Sequence, residues 1–98
     1  MKISKSNWHE LSLSEVEKVF KEEFRNVKAL PNIALVKELQ ALKNATLELV
    51  KSNEKISVYR IVETDRVFEM FSSGVFEEYD TYENYENNKS VIDTTIVD

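Results

Sequence analysis

Hydrophobic positions change their spacing near Lys55, and that change divides the chain into a helical half and a strand half. Leu13, Val16, Phe20, Phe24 and Val27 recur at helical spacing, which stacks them on one face. Ser12 is placed to cap this helix, Glu15 to close a capping box three residues on, and Leu11 to staple against Val16. Pro31, the only proline, suits the first turn of a new helix, so the pattern breaks near Lys28 and restarts there. Leu35, Leu39, Leu42, Thr46 and Leu49 then form a stripe, widened by Val36 and Val50, which predicts a second helix from Pro31 to about Ser52. Residues 1–10 show no period and read as a loosely structured lead-in with Trp8 docking on the body.

Beyond Lys55 the period is two, and residues 56–63, 66–71 and 75–79 read as three strands. Thr64-Asp65 and Ser72-Ser73-Gly74 separate them, with Gly74, the only glycine, where a three-residue hairpin loop needs a left-handed residue. These turns set Arg60 opposite Glu69, Tyr59 opposite Met70, and Met70 opposite Phe76. One face then collects Tyr59, Ile61, Phe68, Met70 and Phe76, which should cover the helices. The other mixes Val58, Val62, Val67, Phe71, Val75 and Tyr79 with Arg60, Glu69 and Glu77. Residues 81–88 read either as a short helix capped by Asp80 or Thr81, or as a long polar loop. Residues 91–97 (VIDTTIV) read as a final strand on one edge. The expected architecture is α-α-β-β-β-(α)-β, a single α+β domain spanning residues 1–98. In it, two N-terminal helices pack on one face of a small antiparallel sheet, giving two layers.

Charge adds what periodicity does not. Residues 67–98 carry eight carboxylates against the single base Lys89, a net of −7, whereas residues 1–66 carry twelve bases and ten acids, a net of +2. Such asymmetry bears on partners more than on fold. Within it, Glu77, Glu78, Tyr79, Asp80, Tyr82, Glu83, Tyr85 and Glu86 place five carboxylates and three tyrosines in ten residues. Tyrosine offers a large, rigid contact with a polar tip, and the acids would steer it to a positively charged surface. In a purely structural role the same residues would be a solvated surface that keeps a small domain soluble. Direct nucleic-acid binding is not expected, because Lys2, Lys5, Lys18, Lys21, Arg25 and Lys28 are interleaved with acids.

Catalytic and cofactor chemistry finds few of its parts. Without cysteine there are no disulfides, thiolate nucleophiles or cysteine metal sites, and one glycine cannot write a phosphate-cradling loop. His9 beside Glu10 has no nucleophile to activate. Glu69 and Glu77, expected to be cross-strand neighbours, could serve as an acid and base pair, but a row running on to Arg60 would partly neutralise them. Asp80, Glu83 and Glu86 lack the glycine turn and spacing of a calcium loop. No cofactor and no metal is therefore expected. No apolar run approaches the ~20 residues of a membrane span, and residues 1–10 lack the apolar core of a signal peptide, so a cytoplasmic location is expected.

A short, acidic, cysteine-free chain with ten lysines and eight asparagines resembles, in general character, the small inhibitors that phages and plasmids use against host nucleases, anti-CRISPR factors included. That resemblance is compositional and assigns no residue. The expected function is a non-enzymatic interaction or inhibitor protein whose acidic, tyrosine-rich surface occupies a basic, nucleic-acid-binding surface of a protein partner. The alternative is a self-associating module, a homodimer formed through Val58, Val62, Val67, Phe71 and Val75, since two helices cover only one side of the sheet.

Overall fold

The capping box at Ser12 is formed in the computed structural model, which describes residues 2–24, 27 and 32–88. The Ser12 hydroxyl accepts from the Glu15 N–H at 3.3 Å, and the Glu15 carboxylate accepts from the Ser12 N–H at 2.8 Å. This cap opens α1 (Leu13–Glu23), which buries Val16 and Phe20. Asn32 caps α2 (Ile33–Gln40) by accepting from the Leu35 N–H at 3.0 Å, and Leu35, Val36 and Leu39 are buried. Five strands follow the order β1 (Lys2–Lys5), β2 (Ala45–Ser52), β3 (Ile56–Ile61), β4 (Arg66–Phe71) and β5 (Phe76–Tyr79) across one sheet, every neighbouring pair antiparallel. Both helices pack on one face of that sheet, giving an α+β domain with two principal layers.

The inner core joins Val16, Phe20 and Phe24 to Leu35, Val36 and Leu39, and to Leu47, Tyr59, Ile61, Phe68 and Met70. Phe20 and Tyr59 lie 5.1 Å apart between ring centroids and Phe20 and Phe24 5.8 Å apart, so one aromatic group ties α1 to β3. Tyr59 is wholly buried, and burial raises its hydroxyl far above the usual phenol range, with the Ser57 side chain as hydrogen-bond partner.

Three expectations are corrected. The lead-in is structured: Lys2–Lys5 is an edge strand that buries Ile3 against Leu47, and Trp8, in a 3₁₀ turn, is fully buried with Nε1–H donating to the Ala45 carbonyl at 3.0 Å. The second helix stops at Gln40, and Ala45–Ser52 is β2. A period-two reading of that stretch points Ala45 and Leu47 inward, both buried, whereas the helical stripe leaves Leu47 out of the core. The β3–β4 pairing is offset by two residues, because the turn takes four residues rather than two. Asp65 holds the left-handed position at φ 64°, and its N–H donates to the Ile61 carbonyl at 2.8 Å. Arg60 therefore faces Val67 and Glu69 faces Val58, so the expected Arg60–Glu69 row does not form. An offset of two leaves each residue on its expected face.

The β4–β5 hairpin follows its sequence: Met70 pairs with Phe76, Glu69 with Glu77, and Gly74 sits at φ 98°. The expected strand at 91–97 lies outside the described residues. Residues 82–86 form a short helix, α3 (Tyr82–Glu86), capped by the Thr81 hydroxyl, which accepts from the Asn84 N–H at 3.0 Å.

Candidate functional site

The outer face of the sheet, away from α1 and α2, carries its own apolar cluster. Val58, Val67 and Tyr79 are buried there, with Val50 from β2 and Tyr82 and Tyr85 from α3 packed against them. Tyr85 stacks edge-on against Tyr79 at 5.3 Å and lies 5.8 Å from Tyr82, so tyrosines spaced by three roof the valines. Of the apolar residues expected at a dimer face, Val58 and Val67 are covered by the chain itself. Val62 and Phe71 are half-buried, and Val75 is 61% exposed beside the Gly74 turn.

Beside this cluster lies a polar network centred on Arg60. Its Nε donates to Asp65 at 2.7 Å and its Nη1 to Glu48 at 3.1 Å, so one guanidinium neutralises carboxylates from β2 and from the β3–β4 turn. The Arg60 hydrogen bond holds the Asp65 carboxyl below the usual range, and Asp65 reciprocally raises Arg60. The second oxygen of Asp65 accepts from the Tyr82 N–H at 3.2 Å, which fixes the start of α3 over the sheet. On the other side of the cluster the Tyr79 hydroxyl lies 3.1 Å from Glu69 and 3.3 Å from Glu77 and donates to this carboxylate pair. Burial first, and then those two charges, push the Tyr79 hydroxyl far above its ordinary value. Tyr85 is raised as well, by burial and by the nearby Glu69.

Between α3 and the strands an open groove of about 540 Å³ is lined by Glu48, Val50, Arg60, Asp65, Tyr82, Glu83 and Glu86. It holds four carboxylates and one guanidinium, and that guanidinium is already engaged by Glu48 and Asp65. Glu83 and Glu86 are exposed and stand three apart on α3, which places them on one side of the helix. No ion pair to either is formed among the described residues. Val50 and the Tyr82 ring give the groove an apolar part against which a long side chain could lie.

The ten-residue acidic segment therefore divides. Tyr82, Glu83 and Glu86 line the groove, Tyr79 and Tyr85 support it, and Glu77 joins Glu69 under the Tyr79 hydroxyl. Glu78 points to the opposite face, where Arg66 binds it at 2.6 Å and binds Glu38 of α2 at 3.1 Å. Asp80 is exposed at the strand end. Glu48, Val50, Arg60 and Asp65 complete the site but are remote in sequence. Glu48 and Val50 were hidden by the helical reading of β2, and Arg60 by the offset register.

Among the described residues no three of His, Asp and Glu come together as a metal-binding group, and no helix is long and apolar enough to cross a membrane. His9 is exposed, 3.7 Å from Glu10. No family model, no curated protein and no solved structure matches this chain, so the geometry alone carries the functional reading.

Proposed function

We propose that the protein is a non-enzymatic binding module that takes a basic segment of a protein partner into the groove beside α3. The observation that carries this reading is the unbalanced charge of the groove. Arg60 is satisfied by Glu48 and Asp65, while Glu83 and Glu86 present two carboxylates with no cation paired to them among the described residues, over an apolar strip. A lysine or arginine fits this arrangement: its aliphatic stem lies along Val50 and Tyr82 while its head reaches Glu83 and Glu86. A nucleic-acid-binding surface of a host protein supplies such residues in clusters, and blocking one is the action of a phage or mobile-element inhibitor working in a cytoplasm.

Binding of a heptalysine or heptaarginine peptide, followed by calorimetry at low and at physiological salt, tests the reading. Affinity should weaken as salt rises. Reversal of both groove acids, Glu83→Lys with Glu86→Lys, should weaken it by at least about tenfold, as expected for the loss of two charge contacts. Reversal of the exposed acids Glu10 and Glu22, which lie on the helical side, should weaken it far less. Equal losses from both pairs would reduce the effect to net charge and remove the groove from the explanation.

A further inference from the structure

We infer that α3 is a detachable strap: it lifts from the outer face as a unit while the sheet and inner core stay folded, and the groove exists only while it is closed. The strap is a property of the fold, whether or not a basic segment is the guest.

Four features lead to it. Among the described residues two apolar clusters lie on opposite faces of one sheet, and α3 contributes only to the smaller, so its departure leaves the inner core intact. At five residues, α3 is too short to persist as a helix away from the surface it packs on, because helix nucleation is unfavourable and a single turn recovers few hydrogen bonds. Its backbone is tied to the β3–β4 turn through one side chain, Asp65, which accepts the Tyr82 N–H at 3.2 Å and is itself held by Arg60. Finally, closure gathers like charge: Glu83 and Glu86 on the strap come down beside Glu48 and Asp65, with Arg60 as the groove's cation among the described residues. Tyrosine packing holds the strap down and carboxylate repulsion works against it, so the closed state is local and adjustable. Opening carries away Tyr82, Glu83 and Glu86, three of the groove's lining residues, and uncovers Val58 and Val67.

Native-state hydrogen exchange on the full chain tests the strap. The Tyr85, Asn87 and Asn88 amides, which donate to the carbonyls of Thr81, Glu83 and Tyr85, report on α3. They should exchange at least about a hundredfold faster than the protected amides of β3 and β4, as expected for a sub-global opening. Asp65→Gly removes the tether while suiting the left-handed backbone at φ 64°, and Thr81→Ala removes the helix cap. Each should speed exchange in α3 by about a further five- to tenfold, more than it speeds exchange in β3 and β4. Equal protection of α3 and the central strands in the unaltered protein, or equal acceleration of both by the two variants, would show that α3 opens only with global unfolding and would overturn the inference.

Discussion

Arg66 shows how much one side chain can organise here. It is the first residue of β4, reaches Glu38 on α2 and Glu78 on β5, and sets its guanidinium 5.5 Å from the centre of the Phe68 ring. Its Nε is buried without a hydrogen-bond partner among the described residues, so burial of the head group is supported by two ion pairs and a ring face rather than by a complete set of acceptors. Arg66→Lys keeps the charge but loses the fork that spans two carboxylates. It should lower unfolding free energy by about 1–2 kcal/mol in urea titrations with an unchanged m value, the range for a pair that is only partly removed from water. Asp65 gives a prediction in pH. The Arg60 hydrogen bond holds its carboxyl below the ordinary aspartate value, so the unfolded chain takes up its proton first, and the stabilisation is complete above that ordinary value and lost as pH falls through the folded one. Unfolding followed from about pH 5 down to about pH 2 should therefore fall less steeply in Asp65→Asn, which cannot titrate. An unchanged acid limb would mean that the Arg60–Asp65 contact is not maintained in solution.

At the level of elements, β2 separates what the sequence discloses from what it conceals. Leu35, Leu39, Leu42, Thr46 and Leu49 satisfy a helical period, yet Ala45, Leu47 and Leu49 alternate just as well. The choice is made by the sheet, because β2 supplies hydrogen-bond partners to both β1 and β3. Leu47 is fully buried and Leu42 only partly so. Leu47→Ala should accordingly cost about 3 kcal/mol in chemical denaturation and Leu42→Ala roughly 1 kcal/mol, the order expected of a buried strand residue and a peripheral turn residue. The capping box at Ser12, the Gly74 hairpin and the face of every residue in β3 and β4 were legible, since each depends on local residues or on a parity that an offset of two preserves, whereas α2 begins past the expected Pro31, capped by Asn32. The edge strand at Lys2–Lys5 was not, because one inward residue, Ile3, leaves no period to detect. For the same reason the acidic segment was legible but its division was not. Glu77 and Glu78 are neighbours in sequence on opposite faces of a strand, and the partners that finish the groove come from β2, β3 and a turn whose length the sequence understated.

For the molecule as a whole, the question is whether the outer face seeks a second copy. Without α3, the valines at 58 and 67 would make self-association the natural alternative, because a sheet with one apolar face uncovered must hide it. With α3 in place those valines are roofed by Tyr79, Tyr82 and Tyr85, and among the described residues the large apolar ones left exposed are Leu13, Ile33 and Val75. They stand at the first positions of α1 and α2 and beside the Gly74 turn, and isolated exposed apolar residues of this kind are ordinary on a monomer. Its net charge of −5, gathered largely beyond residue 66, adds repulsion between any two copies that approach through their acidic sides. Sedimentation velocity should therefore give one species whose coefficient stays constant from roughly 10 µM to roughly 500 µM, a span that exposes even the weak association of a small interface. A dimer that strengthened with added salt would point to an apolar contact freed from charge repulsion. If Val75→Ser with Phe71→Ser abolished that dimer, the contact would lie at the β4–β5 hairpin; if only Asp65→Gly strengthened it, the contact would form on the face uncovered by α3.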